Sequence, residues 1–204
     1  MASGDPAYVE SFKQFMKEID PILDLPKMET EFYGTSTRAV CILQGTLLEN
    51  CLEVAIKSVL RPDLNSTLSK AIFGFDSPAG TFSAKINLAY ALSLFGPATY
   101  RDFGLIRLIR NEFAHARKPA TFADEPLAEV CRHLQLPDNP ACRAPFGWWN
   151  TMPDEELREV LGDGKDHKTH PKVRFIMTCH WMATELLLFA QREKKAPLQA
   201  SALP

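Results

Sequence analysis

The sequence has no Cys-x-x-Cys pair, no phosphate-binding loop and no excess of positive charge. Its cysteines are five, Cys41, Cys51, Cys131, Cys142 and Cys179. An odd set without close pairs argues against a disulfide framework and against a structural zinc site. Cys41, Cys51 and Cys179 fall among apolar residues at helical spacing and read as small core hydrophobes. GFDSPAGT, from Gly74 to Thr81, lacks the G-x-x-x-x-G-K-[ST] spacing that cradles phosphates. A net charge of −2 and a pI of about 6.2 are unlike those of a globally basic nucleic-acid binder. No short turn leads into an exposed polar recognition helix, so specific DNA binding by the protein alone is not expected. The start, MASGDPAYVESFKQF, lacks the charged residues and apolar run of a secretory signal. No apolar stretch reads as long enough to cross a bilayer. The expectation is a cytoplasmic protein with no membrane, no metal and no other cofactor.

β alternation and internal repeats are also missing, and what remains is helical periodicity. The apolar share, 46% of 204 residues, supports a sizeable core in one domain. Asp5-Pro6 opens an amphipathic helix carrying Val9, Phe12, Phe15 and Met16, and PILDLPK turns the chain. A long helix is predicted from Ser36 to Leu60, capped by Ser36 or Thr37, with Val40, Leu43, Leu47, Cys51 and Val54 inward. A short helix covers Ser66 to Ile72. The next is capped by Thr81 or Ser83, turns Ile86, Ala89, Tyr90 and Leu94 inward, and stops at Gly96-Pro97. A central helix ends by Lys118-Pro119, and a shorter one runs from about Asp124 to Leu134. Another is predicted from Pro153 to Gly162, and a final one from Pro171 with the stripe Phe175, Cys179, Met182, Leu186 and Ala190. The fold class is therefore all-α, a compact single-domain bundle of about seven or eight helices. The domain plan is an amphipathic helix and turn over 1–28, an all-α domain over 29–195 with an irregular insertion at 139–169, and a tail over 196–204.

The central stretch RDFGLIRLIRNEFAHARK, from Arg101 to Lys118, carries the chemistry. As a helix it gathers Leu105, Ile106, Ile109 and Phe113 into a core-facing stripe. Arg107, Asn111 and His115, four apart, form a polar row with Arg110 at its edge. With Arg117 these are the candidate binding residues. Asn111 and His115 are an i,i+4 pair whose side chains can meet. Arg110 and His115 are separated by about 7.5 Å of rise and roughly 140° of rotation. Within one straight helix they cannot grip the same small group. Arg110 could instead pair with an acid such as Glu49 or Glu53, and His115 could cap the helix end.

TFSAKINLAYALSL followed by YRDFGLIRLIRNEFAH resembles the central signature of the mannitol operon repressor family. The resemblance extends upstream to STRAVCILQGTLLENCLEVAI and downstream to ATFADEPLAEVCRHLQLP, and more loosely to VRFIMTCHWMATELL. It implies an all-helical transcriptional regulator without a DNA-reading module, acting through an unidentified protein partner and forming a homodimer. RNEFAH also resembles the Arg-x4-His motif of the HEPN superfamily, which includes metal-independent endoribonucleases. That resemblance implies an alternative in which two motifs face each other across a dimer and RNA is the ligand. Arg110, His115 and Asn111 would then be catalytic, with the imidazole acting on the ribose hydroxyl or leaving group and the guanidinium stabilising phosphate charge.

Two further groupings are weaker. Asp163, Asp166, His167 and His170 have ligand chemistry but no metal-site spacing, and read as a solvated loop. Phe146, Trp148 and Trp149 could stack bases, but Arg143 is their sole nearby cation, and partial burial over the core is the expectation.

Overall fold

Ser36 starts the first long helix by capping. In the computed structural model, which describes residues 36–60, 64–138 and 170–195, its hydroxyl accepts the Ala39 N–H at 3.3 Å and α1 runs Thr37–Val59. Asn65 caps α2 (Ser66–Phe73) through the Leu68 N–H, 2.8 Å away. Thr81 caps α3 (Phe82–Ala91) through Ala84, 3.1 Å away. Each cap satisfies an N–H that a helix start otherwise leaves open. Pro97 opens α4 (Pro97–His115), where its missing N–H costs nothing. A short helix, α5 (Glu125–Arg132), leads into a 3-10 turn at Leu136–Asp138, and α6 spans Pro171–Lys195.

Six α-helices and no strand lie among the described residues, so the all-α expectation holds there. The other two predicted helices, the N-terminal one and Pro153–Gly162, fall outside the described residues, as does the Phe146–Trp148–Trp149 cluster. The described residues belong to one unit beginning at Thr35.

α1 is the central strut. It packs along α6 and against α4 and α3, while α5 packs on α6. Leu48, Leu52 and Ile56 of α1, Phe103 and Ile106 of α4, and Phe175 and Met182 of α6 are fully buried. Each contributes about 1.5–3 kcal/mol by leaving water. Phe103 meets Phe82 edge-on at 6.2 Å and Phe95 at 4.9 Å. Cys41, Cys51 and Cys179 are core residues, as expected. The predicted stripes need five corrections. Leu43 and Tyr90 stay 40% and 39% exposed, and Val54, Leu94 and Leu105 are half-buried. Gln44, Lys85 and Asp102, polar residues, are held in the interior instead.

α3 ends earlier than Gly96-Pro97. Ser93 takes a left-handed φ of 59°, its N–H bonds the Tyr90 carbonyl at 2.9 Å, and the Leu94 N–H bonds that of Ala89 at 3.0 Å. This is the Schellman termination, with serine where glycine usually sits.

The expectation of no membrane-length helix also needs correction. α1 and Pro171–Glu193 of α6 are both long and apolar enough to cross a bilayer. The apolar windows are 56% and 72% buried within the bundle. Core helices that are apolar nearly all round pass the same length test.

Candidate functional site

Polar groups gather where α1, α3 and α4 meet. Glu49 and Glu53 lie one turn apart on α1. Lys85 of α3, 5% exposed, bridges them, with Nζ 3.1 Å from Glu49 and 3.0 Å from Glu53. Lys57 joins Glu53 at 2.6 Å. Arg110 of α4 completes the row, with Nη2 3.5 Å from Glu49 and Nη1 donating to the Asn111 Oδ1 at 3.0 Å. A buried ammonium is tolerable only when paired this way. Burial pushes the Glu53 carboxyl up, but hydrogen bonds from Lys57 and Lys85 outweigh it and hold it below the usual range.

Gly45 makes the Arg110 contact possible. A Cβ there would lie 2.6 Å from the Arg110 Cγ and 2.8 Å from its Cβ. The arginine stem therefore crosses α1 at its only side-chain-free position in that turn, and its head reaches Glu49 one turn on.

A second assembly locks the chain after α5. Arg174 of α6, 5% exposed, donates to the carbonyls of Cys131 at 3.2 Å, Arg132 at 3.3 Å and Leu134. It also forks onto Asp138, at 3.0 and 2.7 Å. Those carbonyls are the ones a helix end leaves open. From the other side, the fully buried Asp102 carboxylate accepts the Gln135 N–H at 2.9 and 3.0 Å and the Leu136 N–H at 2.8 Å. Burial raises the Asp102 carboxyl above its usual range against the pull of those bonds.

The third feature is a groove of about 650 Å³ between the end of α4 and α5. Leu108, Phe113, Leu127 and Val130 supply apolar lining, and His115, Arg117 and Lys118 stand on it. At its edge Arg38 of α1 donates to the Ala116 carbonyl at 2.6 Å, covering the open end of α4.

The predicted polar row is thus divided. Arg110 turns to α1 and holds Asn111; His115 and Arg117 are exposed at the groove; Arg107 is half-buried. The ion pair with Glu49 is one of the two partners the sequence suggested for Arg110. Capping of the α4 end falls to Arg38, not to His115. Among the described residues no group of three or more His, Cys, Asp or Glu could hold a metal. Of the four ligand types singled out near the insertion, His170 precedes α6, with its Nδ1 buried and burial lowering its pKa. Asp163, Asp166 and His167 lie outside the described residues.

Sequence reasoning missed Gly45, Lys85, Asp102 and Arg174 as organising residues. A signal was present for two. Asp102 stands in the 102, 106, 109, 113 series and Lys85 in the 82, 85, 89 series, each a charge on an apolar stripe.

The class that the described residues define is a helical bundle whose helices are cross-tied by partly buried ion pairs and which opens a groove beside Arg117 and Lys118 at the end of α4. No family model and no curated protein matches the chain. Among solved structures it is similar to a chain of the MtlR-HPr complex from Escherichia coli, with a TM-score of 0.54 and 16% identity, over 75% of this chain and 91% of that chain. The likeness shows a distant MtlR-like fold. It adds nothing to the HEPN resemblance.

Proposed function

We propose that this protein is a cytoplasmic regulator of the mannitol operon repressor type that acts by binding a protein partner, and not by reading DNA. The observation that carries the reading is the fold likeness to a chain crystallised in a complex of MtlR with HPr. The order of the family-like signature along the chain supports it. A homodimer belongs to the same reading.

The test is titration of the purified full chain with the HPr protein of its own host, by calorimetry. The expected result is saturable one-to-one binding in the micromolar range or tighter. Light scattering of the same sample checks the dimer. No heat and no complex on gel filtration would sink the HPr-binding form of the proposal. The ribonuclease alternative needs Arg110 and His115 to act on one substrate. In the described chain Arg110 is engaged with Glu49 while His115 faces the groove, so no observation favours that alternative.

A further inference from the structure

We propose that the groove between the end of α4 and α5 docks an acidic amphipathic helix of a protein partner. This rests on the reading of the protein as a partner-binding regulator and names the surface and the chemistry of what it takes. The first argument is apolar. Leu108 is 45% exposed, with the half-buried Leu105 one turn before it, and it lines one cleft with Phe113, Leu127 and Val130. An exposed leucine continuous with an apolar cleft is the kind of patch that marks an interaction site. A cleft running between two helices suits leucines at i, i+3, i+4 and i+7 of a third.

Charge complementarity fixes the flanks of that helix as acidic. Arg117 and Lys118 are exposed at the groove, with His115 beside them, and Arg101 is exposed further along α4. Two carboxylates, Glu112 and Asp124, share the lining, and with Arg38 at its edge and Arg101 beyond it the cations outnumber them. The Asp124 carboxylate turns to Thr121, accepting its N–H at 2.7 Å and its hydroxyl at 3.1 Å. Asp102 is buried against Gln135 and Leu136. Glu112 alone of the acids in the groove lining has no such contact among the described residues. The carbonyl end of α4 would repel an acidic ligand. Arg38 covers it, so the end of the groove is cationic as well. A phosphate backbone would satisfy the cations but leave Leu108 and its apolar neighbours unused.

The test uses the full chain and three fluorescent probes. The first is a designed helix about five turns long with a leucine stripe flanked by glutamates. The second carries lysines in place of the glutamates, and the third is a single-stranded RNA. At physiological salt the acidic helix should bind in the micromolar range, at least about tenfold tighter than the lysine helix. Leu108→Glu, and separately the Arg117→Glu/Lys118→Glu pair, should each weaken it about tenfold or more, with the melting temperature unchanged because these side chains are exposed. Equal binding of both helices, tighter binding of RNA, no binding at all, or full retention in both variants overturns the proposal. The same variants separate it from the broader reading. HPr binding that is indifferent to them keeps the regulator and removes this groove. Acidic-helix binding without HPr binding keeps the groove and removes HPr.

Discussion

Arg110 reaches Glu49 by passing over Gly45, so the closest approach of α4 to α1 depends on a missing side chain. Gly45→Ala sets two effects against each other. Alanine is better than glycine inside a helix by about 1 kcal/mol. The added methyl would sit 2.6 Å from Cγ and 2.8 Å from Cβ of Arg110, atoms too near the backbone to swing away. Overpacking of that kind costs about 1–3 kcal/mol, so the variant should be less stable than wild type in urea titration. Adding Arg110→Ala should recover only part of the loss, because Cβ remains. A stabilised Gly45→Ala would mean that α1 and α4 are further apart than this.

His115 and Phe113 stand two residues apart on α4 and should behave as opposites. Phe113 is 6% exposed and its truncation to alanine should cost about 3–5 kcal/mol. His115 is exposed, and His115→Ala should leave the melting curve nearly unmoved. Neither wild type nor this variant should cleave RNA in the presence of chelator. Chelator-resistant cleavage leaving a 2′,3′-cyclic phosphate, lost in His115→Ala, would overturn this and revive the ribonuclease alternative.

The helices were legible because their ends carry local chemistry. Ser36, Asn65 and Thr81 cap within three residues, and Pro97 opens α4. The ion pair of Arg110 with Glu49 was also within reach, since Glu49 lies off the apolar stripe of α1 and facing α4 was the simplest use for it. The clamp of Asp102 and Arg174 was not. Its two charges act on the same turn from helices 72 residues apart in sequence, and their partners are backbone groups that every residue owns. The groove was illegible for a related reason. It needs α5 beside the end of α4, which no single helix pattern specifies.

Ser93 occupies the left-handed position that ends α3. A residue with a Cβ there is strained by about 1–2 kcal/mol relative to glycine. Ser93→Gly also loosens the unfolded chain, which gives back part of the gain. A net stabilisation of about 0.5–1 kcal/mol is expected, read as a raised urea midpoint at constant slope. Ser93→Val should move the midpoint the other way. If Ser93→Gly destabilises, the Schellman geometry at this turn is incorrect.

The buried thiols should be silent in the native protein. Burial pushes Cys51 and Cys131 up to about 12 and Cys41 and Cys179 well above their usual range, so few thiolates exist at neutral pH. Incubation with a thiol reagent at pH 8, followed by peptide mass spectrometry, should leave these four unlabelled until denaturant is added. Rapid native labelling of Cys131 would show that α5 opens from α6.

Glu53 and Asp102 should tilt the acid stability profile in opposite directions. The Glu53 carboxyl is held below 4.5, its ordinary value, so its ion pairs stabilise the fold above that pH and the contribution is lost as pH falls through the folded value. The Asp102 carboxyl is raised above 3.8, so the folded state holds that proton more tightly and stability falls as pH rises through its folded value. Glu53→Gln should therefore flatten the loss of stability on acidification. Asp102→Asn should steepen it, because a proton uptake that favours the fold is gone. Asp102→Asn should also lower stability overall, by about 1–3 kcal/mol, since an amide nitrogen replaces an acceptor facing the Gln135 and Leu136 N–H groups. The decisive quantity is the slope of unfolding free energy against pH between about 3 and 6, which is independent of that offset. Parallel profiles for wild type and both variants would show that neither carboxyl is perturbed by its surroundings as described.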